Sequence, residues 1–209
     1  MAKFAKEKSG CLIACIKGDS PGTNGMIKIA ERYEIPVYAY KVEDMIYDFQ
    51  TQLNEGKHVE ILLDNFFSKW YNVAPVDLEI EKSEGIDRIF TSLNGSKYLK
   101  IEYKADFKTI HTGNIYLELS VDGDNGYHKD GWALHSKADL VIYTVVGEDK
   151  YQILAIEPSI LKSLIPQWES IYRRTSCKNV GYGSTGLLVP LDVVVQVAYK
   201  KFVCNVVAK

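Results

Sequence analysis

The sequence lacks the cysteine and histidine patterns that bind zinc. Its four cysteines form no C-x-x-C pair, and its four histidines form no H-E-x-x-H or H-x-H pattern. Zinc sites in proteins depend on such closely spaced ligands, so a metal centre built from Cys and His is not expected.

Long apolar segments and a strong charge of one sign are also missing. No apolar run approaches the roughly 18 residues that a membrane-spanning helix needs. The first residues, MAKFAKEKSG, are basic but lack the apolar stretch of a secretory signal. We therefore expect a cytoplasmic protein with no membrane partner. A net charge of −2 argues against a protein that coats nucleic acid, but it permits an enzyme that concentrates positive charge at one place.

The composition is that of a folded mixed α/β protein. Hydrophobic residues make up 46% and charged residues 25% of the 209 residues, which excludes disordered and collagen-like chains. Residues 1–55 are predicted to form a βαβ-like extension packed on the core, with strands at 11–18 and 34–42 around a helix at 26–33. Residues 56–209 form the predicted main domain.

The turn cluster before that first helix has two interpretations. Thr23 or Asn24 is expected to cap the helix, because short polar side chains accept hydrogen bonds from the first free backbone amides. Helix N-termini also favour anions. A nucleotide or anion bound near 19–26 would make the extension a small-ligand domain.

The main domain combines predicted helices and strands around a central sheet. The run 139–146 is apolar almost throughout, as is typical of a buried central strand, and Pro166 is expected to break or kink the last helix. The predicted strands are 76–80, 85–91, 97–105, 114–120, 139–146 and 151–157. The predicted helices are 43–53, 57–71 and 158–173, with a polar loop at 122–131 and a helical turn at 132–138.

A glycine-rich hexapeptide, GYGSTG at 181–186, matches the G-x-G-x-x-G pattern of dinucleotide sites. That motif binds pyrophosphate where it follows a strand and opens a helix. Here a polar segment precedes it and LLVP follows it, so we predict a surface loop at 181–186.

The strongest constellation of charged residues lies on two neighbouring predicted strands. Asp87 lies on the first strand, while Glu102 and Lys104, separated by one residue, project from one face of the second. The dipeptide Asn94-Gly95 predicts a hairpin that pairs the two strands antiparallel. Two carboxylates and a lysine would then converge at one place on a sheet.

This combination suits metal-assisted hydrolysis of a phosphodiester. Mg²⁺ prefers oxygen ligands, and Mn²⁺ is a possible substitute; Asp87, Glu102 and the backbone carbonyl of Tyr103 are the predicted ligands. Lys104 would orient the attacking water and stabilise the developing charge. A strand with alternating charges is also typical of a solvated sheet face, so that alternative stays open.

The segments GIDRIF and YLKIEYK resemble the PD-(D/E)xK nuclease superfamily, and the order of the predicted elements over 57–173 agrees. The resemblance implies a restriction-endonuclease-like mixed central sheet flanked by helices. It also implies a Mg²⁺-dependent endonuclease that hydrolyses DNA with water as the nucleophile. The helix before the motif often supplies a glutamate in this family, and Glu60 matches it, with Asp64 one turn later.

The chain is also similar to uncharacterised phage and bacterial members of the superfamily. Those proteins carry a TGN-x-x-x-E segment, here Thr112 to Glu118, and a GW…SKAD segment, here Gly131 to Asp139. Two features depart from the family pattern: Ile86 stands where the motif's name has proline, and an extra strand follows Lys104 where a long helix is usual. Residues 1–55 do not match the nuclease core.

Three more residues are candidates for the site: Asp106, Glu118 and Lys137. Glu118 alternates with apolar neighbours, so it is either an extra acidic ligand or a residue of a polar sheet face. A homodimer is possible, because cutting two strands calls for two sites. The alternative function is a non-catalytic nucleic-acid- or partner-binding protein that keeps the nuclease-like fold.

Overall fold

The computed structural model describes residues 12–16, 21–41, 49–179 and 181–205. The chain divides into two compact units, residues 1–47 and 48–209.

The first unit has the predicted βαβ-like order. Strand β1 (Leu12–Ile16) pairs parallel with β2 (Val37–Lys41), and helix α1 (Pro21–Arg32) lies between them in the sequence. The helix begins at Pro21 rather than at 26, and proline is well suited to a first turn because its missing N–H would have no partner there. Thr23 and Asn24 therefore lie inside the helix, and the prediction that they cap it is wrong. Residues 17–20, part of the predicted anion-binding segment, lie outside the described residues.

The second unit begins with one long helix in place of two predicted ones. Helix α2 (Phe49–Phe67) runs without interruption through Gly56, and residues 42–48 lie outside the described residues. The predicted domain boundary at 55 therefore falls inside this helix. Strand β3 (Tyr71–Pro75) starts where the helix was expected to continue.

The predicted strand at 76–80 is wrong, since helix α3 (Leu78–Glu84) occupies that place. Its apolar residues alternate, but Leu78 is 67% exposed and Ile80 is 40% exposed, so the alternation reflects no buried sheet face. Acidic residues in the first turn favour the helix through its dipole.

A mixed six-stranded sheet forms the centre of the second unit, which confirms the predicted mixed α/β class. Its order is β12-β9-β8-β5-β4-β3, and only β5 and β8 are parallel neighbours. The run 139–146 does form a central strand. The five further strands of this sheet are β4 (Arg88–Ser92), β5 (Tyr98–Asp106), β8 (Leu140–Val146), β9 (Lys150–Ile156) and β12 (Lys200–Asn205).

An antiparallel four-stranded sheet has the order β10-β11-β6-β7. Its strands are β6 (Asn114–Gly123), β7 (His128–Asp130), β10 (Arg173–Asn179) and β11 (Tyr182–Pro190). The predicted loop at 122–131 therefore contains a short strand. GYGSTG is a turn residue followed by the start of β11, so the predicted surface loop is wrong. The motif continues as strand to Pro190, and no helix opens within it to receive a phosphate.

Four further helices lie in the described part of the second unit: α4 (Thr109–Thr112), α5 (Trp132–His135), α6 (Pro158–Glu169) and α7 (Leu191–Val197). Helix α6 continues through Pro166 to Glu169, so the expected break does not occur. Within the described ranges, no helix combines the length and apolar character needed to cross a membrane.

The two faces of the six-stranded sheet pack on different partners. On one face, Val59 and Leu63 of α2 pack near Ile101 and Tyr103 of β5. On the other face, the apolar residues of β8 and β9 pack with those of β6, α6 and β11. Since side chains alternate along a strand, Glu102 and Lys104 project from the face of β5 opposite α2.

Candidate active site

The hairpin between β4 and β5 brings the predicted site residues together. The register pairs Arg88 with Ile101, and the N–H of Asp87 donates to the Ile101 carbonyl at 2.8 Å. Asp87 therefore lies beside Glu102 on the neighbouring strand. The carboxylate of Asp87 accepts a hydrogen bond from the N–H of Tyr103 at 2.5 Å.

Glu102 is a buried carboxylate with only one of its oxygens engaged. Its residue is 3% exposed, and Oε1 lies 2.7 Å from the ammonium of Lys104. Oε2 is fully buried and has no hydrogen-bond partner among the residues that the structure describes. Buried charged oxygens are normally satisfied, so an unpartnered one marks a place that suits a further donor or a cation.

Lys104 connects the buried carboxylate to the surface. Its side chain is 33% exposed, whereas that of Glu102 is 4% exposed. Burial acts to lower the pKa of Lys104, but the charge and hydrogen bond of Glu102, together with Asp87 and Glu118, outweigh it and raise that pKa. The ammonium is thus held as a positive charge close to solvent.

Glycine is required next to the unpartnered oxygen of Glu102. Gly85 ends α3 with a left-handed φ of +64°, which side chains rarely adopt. A Cβ at this position would lie 3.5 Å from Glu102 Oε2 and 3.4 Å from the Cα of Ser136. The end of α3 and the residue after α5 therefore form the wall around the carboxylate.

The donor set fits a hard divalent cation only in part. Glu102 Oε2 is an oxygen ligand without a competing partner, and Asp87 adds a second carboxylate nearby. Among the described residues, however, no group of three or more His, Cys, Asp or Glu side chains lies close enough together to hold a metal ion. A third protein ligand would have to be a backbone oxygen, and the carbonyl of Tyr103 stays a prediction for that role.

Glu60 has a partner that the sequence does not suggest. Its Oε2 lies 3.0 Å from Nη2 of Arg88, on the α2 side of the sheet. Burial raises the pKa of Glu60, with Arg88 acting against the shift and Asp87 adding to it. Glu60 lines a depression of about 220 Å³ on the α2 side of β5, whereas the side chains of Glu102 and Lys104 project from the opposite face. Glu60 is therefore paired with Arg88 and does not join Glu102 and Lys104.

Asp106 is engaged in local structure. Its carboxylate accepts hydrogen bonds from the N–H groups of Lys108 and Thr109, at 2.7 and 2.8 Å, and from the Thr109 hydroxyl at 2.7 Å. The Tyr143 hydroxyl also donates to it. These bonds hold the turn into α4. Lys137 is exposed, and its N–H donates to the Glu84 carbonyl at 2.8 Å.

Glu118 approaches the site from the four-stranded sheet. Ile115, Leu117 and Leu119 are buried, so Glu118 projects from the opposite face of β6, as its alternation predicts. Burial raises the pKa of Glu118, while Lys104, the Trp132 N–H and the Ser184 hydroxyl act against the shift. The sequence could not place this residue, because nothing in it indicates that β6 passes near β5.

Replacing Glu118 by glutamine is expected to stabilise the fold at neutral pH. Because the folded pKa is raised, ionisation is less favourable in the folded than in the unfolded protein, and this penalty is complete above the folded pKa. The gain from Glu118→Gln should be largest at neutral pH, shrink as the pH falls through the raised pKa of the folded protein, and be lost below the ordinary value of 4.5. Urea unfolding across this pH range measures it, with the exposed Glu148→Gln as control. A variant no more stable than wild type at pH 7 contradicts the assignment.

Comparison of the chain with protein-family models, with curated proteins and with solved structures finds no match.

Proposed function

We propose that the protein is a Mg²⁺-dependent endonuclease that hydrolyses phosphodiester bonds in DNA. The observation that carries this proposal is Glu102, a buried carboxylate with one oxygen held by Lys104 at 2.7 Å and the other without a hydrogen-bond partner in the described part of the chain. Asp87 lies beside it on the paired strand. The resemblance to the PD-(D/E)xK superfamily assigns catalysis to the same three residues.

Asp87, Glu102 and the Tyr103 carbonyl are the residues that would hold Mg²⁺, or Mn²⁺ in its place. When bound, such an ion polarises a phosphate oxygen and lowers the pKa of a coordinated water. The oxygen of a water forms a bond to phosphorus and loses one proton to solvent, while the bond from phosphorus to the leaving sugar oxygen breaks and that oxygen takes up one proton from solvent.

Lys104 is assigned the part of a fixed positive charge. Its ammonium is anchored by Glu102 and partly exposed, so it can reach a phosphate bound at the surface. A cation held in place before the reaction stabilises the charge that develops on the phosphate oxygens, and no reorganisation is needed at that moment. A cytoplasmic location and a homodimer, which would supply two sites for two strands, belong to the same proposal.

Cleavage of a mixed panel of linear, nicked, branched and single-stranded DNA tests this function. Wild type is expected to cut at least one substrate with Mg²⁺ or Mn²⁺ and none with EDTA. Asp87→Asn, which removes a charge from the cation site, is expected to slow cutting by about 10³-fold or more. Asp77→Asn, at an exposed position before α3, is the matched control and should cut like wild type. Absence of metal-dependent cutting on the whole panel would refute the proposal.

A second candidate is a protein that binds nucleic acid or another partner without cleaving it. It is favoured by the absence of a three-ligand metal cluster among the described residues. The two candidates differ in their response to a divalent ion. A cation that binds the folded state raises the melting temperature, and this rise should depend on Glu102. DNA retention without cleavage and without cation-dependent stabilisation would support the second candidate.

A further inference from the structure

Arg88 is the centre of a network that links α2 to the site. Its Nε donates to both oxygens of Asp64, at 3.0 and 3.2 Å, and its Nη2 donates to Glu60 at 3.0 Å. Its Nη1 donates to the backbone carbonyl of Asp87 at 2.9 Å. The side chain of Arg88 is only 14% exposed. One guanidinium thus contacts two carboxylates of a helix and the main chain of a predicted metal ligand.

Tyr103 completes the network on the neighbouring strand. Its hydroxyl donates to Asp64 at 3.1 Å, and its ring lies 5.4 Å from the guanidinium carbon of Arg88. Its N–H donates to the carboxylate of Asp87 at 2.5 Å. Arg88 therefore contacts the carbonyl of Asp87, which also accepts from the Val76 N–H at 3.3 Å, and Tyr103 contacts its carboxylate. The N–H of Asp87 is paired with the Ile101 carbonyl of the neighbouring strand. We call Arg88, Glu60, Asp64 and Tyr103 the Arg88 cluster.

Stability alone does not account for such a cluster. Partly burying a guanidinium and two carboxylates removes hydration from three charges, and well-packed apolar residues at such places are often as stable or more so. Two apolar positions one turn apart on α2 would join the helix to the sheet equally well. What apolar residues could not do is fix the peptide that carries Asp87. Residues that bind a metal are commonly oriented by hydrogen bonds from neighbours that do not themselves contact the metal.

We propose that the Arg88 cluster positions Asp87. Arg88 and Asp64 are positioning residues: they fix the carbonyl of Asp87 and the ring and N–H of Tyr103, and these in turn fix the carboxylate. Glu60 acts through Arg88. The catalytic part of this inference rests on the proposed nuclease function, whereas the orientation of Asp87 does not.

The test compares Arg88→Lys and Asp64→Asn with wild type. Lysine keeps the charge of arginine but cannot contact Asp64, Glu60 and the Asp87 carbonyl at once. The exposed pair Arg174–Glu169, with 3.3 Å between Nη1 and Oε1, supplies the control variant Arg174→Lys. The first readout is the NMR chemical shift of the Tyr103 amide proton, which reports its short hydrogen bond to Asp87 without any substrate or metal.

Both cluster variants are expected to move the Tyr103 amide proton upfield, and Arg174→Lys is expected to leave it in place. In DNA cleavage, the cluster variants should lower kcat by about 10- to 100-fold, the usual effect of removing such outer hydrogen bonds, with KM for DNA unchanged. Glu60→Gln should show the same partial loss and not the complete loss expected of a metal ligand.

Two results would overturn the inference. One is an unchanged Tyr103 amide resonance in a folded variant of Arg88 or Asp64. The other is a KM that rises while kcat stays constant. If Arg88→Lys does not fold, the inference is tested with Asp64→Asn alone. This substitution is milder, because asparagine has nearly the shape of aspartate. If wild type cuts no DNA, the proposed function fails, and the amide resonance alone decides whether the cluster orients Asp87.

Discussion

Replacing Lys104 by methionine is expected to abolish DNA cleavage, with a loss of about 10³-fold or more. Methionine has a similar length and no charge, so the variant keeps the bulk of the side chain and removes the ammonium that would contact a bound phosphate. Losing a single preorganised donor in a catalytic site already costs about 10²- to 10³-fold, and Lys104 also anchors Glu102. The measurement is single-turnover cleavage at saturating Mg²⁺.

The same substitution is expected to destabilise the protein at neutral pH. It leaves Glu102 buried with both oxygens unpartnered. Breaking a fully buried pair costs about 3–5 kcal/mol, and because Lys104 is one-third exposed we expect about 2 kcal/mol in urea unfolding. The double variant Glu102→Gln, Lys104→Met should regain most of that stability and remain inactive.

Lys100→Met is the matched control for Lys104→Met. Lys100 lies on the same strand and, by alternation, on the same face, but it is 41% exposed and its Nζ is 3.8 Å from Glu84. Exposed pairs of this kind contribute about 0–1 kcal/mol, so activity and stability should both stay near wild type. If the Lys104→Met variant cleaves DNA as fast as wild type, Lys104 has no role in the reaction. If Lys100→Met loses as much activity as Lys104→Met, cleavage depends on the total positive charge of β5 and not on the position of Lys104.

The sequence predicts the site best where two local signals agree. Alternation along 97–105 and the Asn94-Gly95 turn together specify a hairpin, and the observed register follows from them. Asp87, Glu102 and Lys104 are placed by that hairpin alone. No information from distant parts of the chain is needed, which explains why these three residues could be brought together from the sequence.

Residues that reach the site from distant elements could not be placed in this way. Glu118 comes from another sheet, and the pairing of β6 with β11 and β7 has no signature in the sequence. Arg88 follows Asp87 directly, and Glu60 and Asp64 have the spacing of one helical turn, but only the packing of α2 on β5 makes them partners. Contacts between elements depend on the tertiary fold, whereas hairpin contacts depend mainly on the turn and the alternation.

Local signals also fail where composition imitates another structure. Residues 76–80 alternate like a strand, yet Leu78 and Ile80 are exposed on a short helix. GYGSTG resembles a loop because it is rich in glycine, yet it forms part of β11. In the second case one glycine, Gly186, is needed because the neighbouring strand comes very close to it.

Gly186→Ala is expected to destabilise the protein by about 3 kcal/mol, the upper range for overpacking. A Cβ at Gly186 would lie 2.4 Å from the Leu117 carbonyl oxygen and 2.7 Å from the ring of Tyr116. The first of these atoms belongs to the backbone of the paired strand, so the clash can be relieved only if β6 and β11 move apart. A β-bulge between Thr185 and Gly186 accommodates the close approach in the native protein.

Gly183→Ala is the control on the same strand. A Cβ there would meet only the Cys177 carbonyl, at an ordinary 3.5 Å, so the loss should stay within about 0.5 kcal/mol, as is usual for substitutions that create no clash or unpaired group. Urea unfolding of both variants gives the comparison. If the Gly186→Ala and Gly183→Ala variants are equally stable, the backbone of β6 does not lie close enough to Gly186 to exclude a methyl group. Because Gly186 is paired with Glu118, a displaced β6 should also expose Glu118 to water and reduce the burial that raises its pKa. The stability gain of Glu118→Gln should then shrink when it is measured in the Gly186→Ala background.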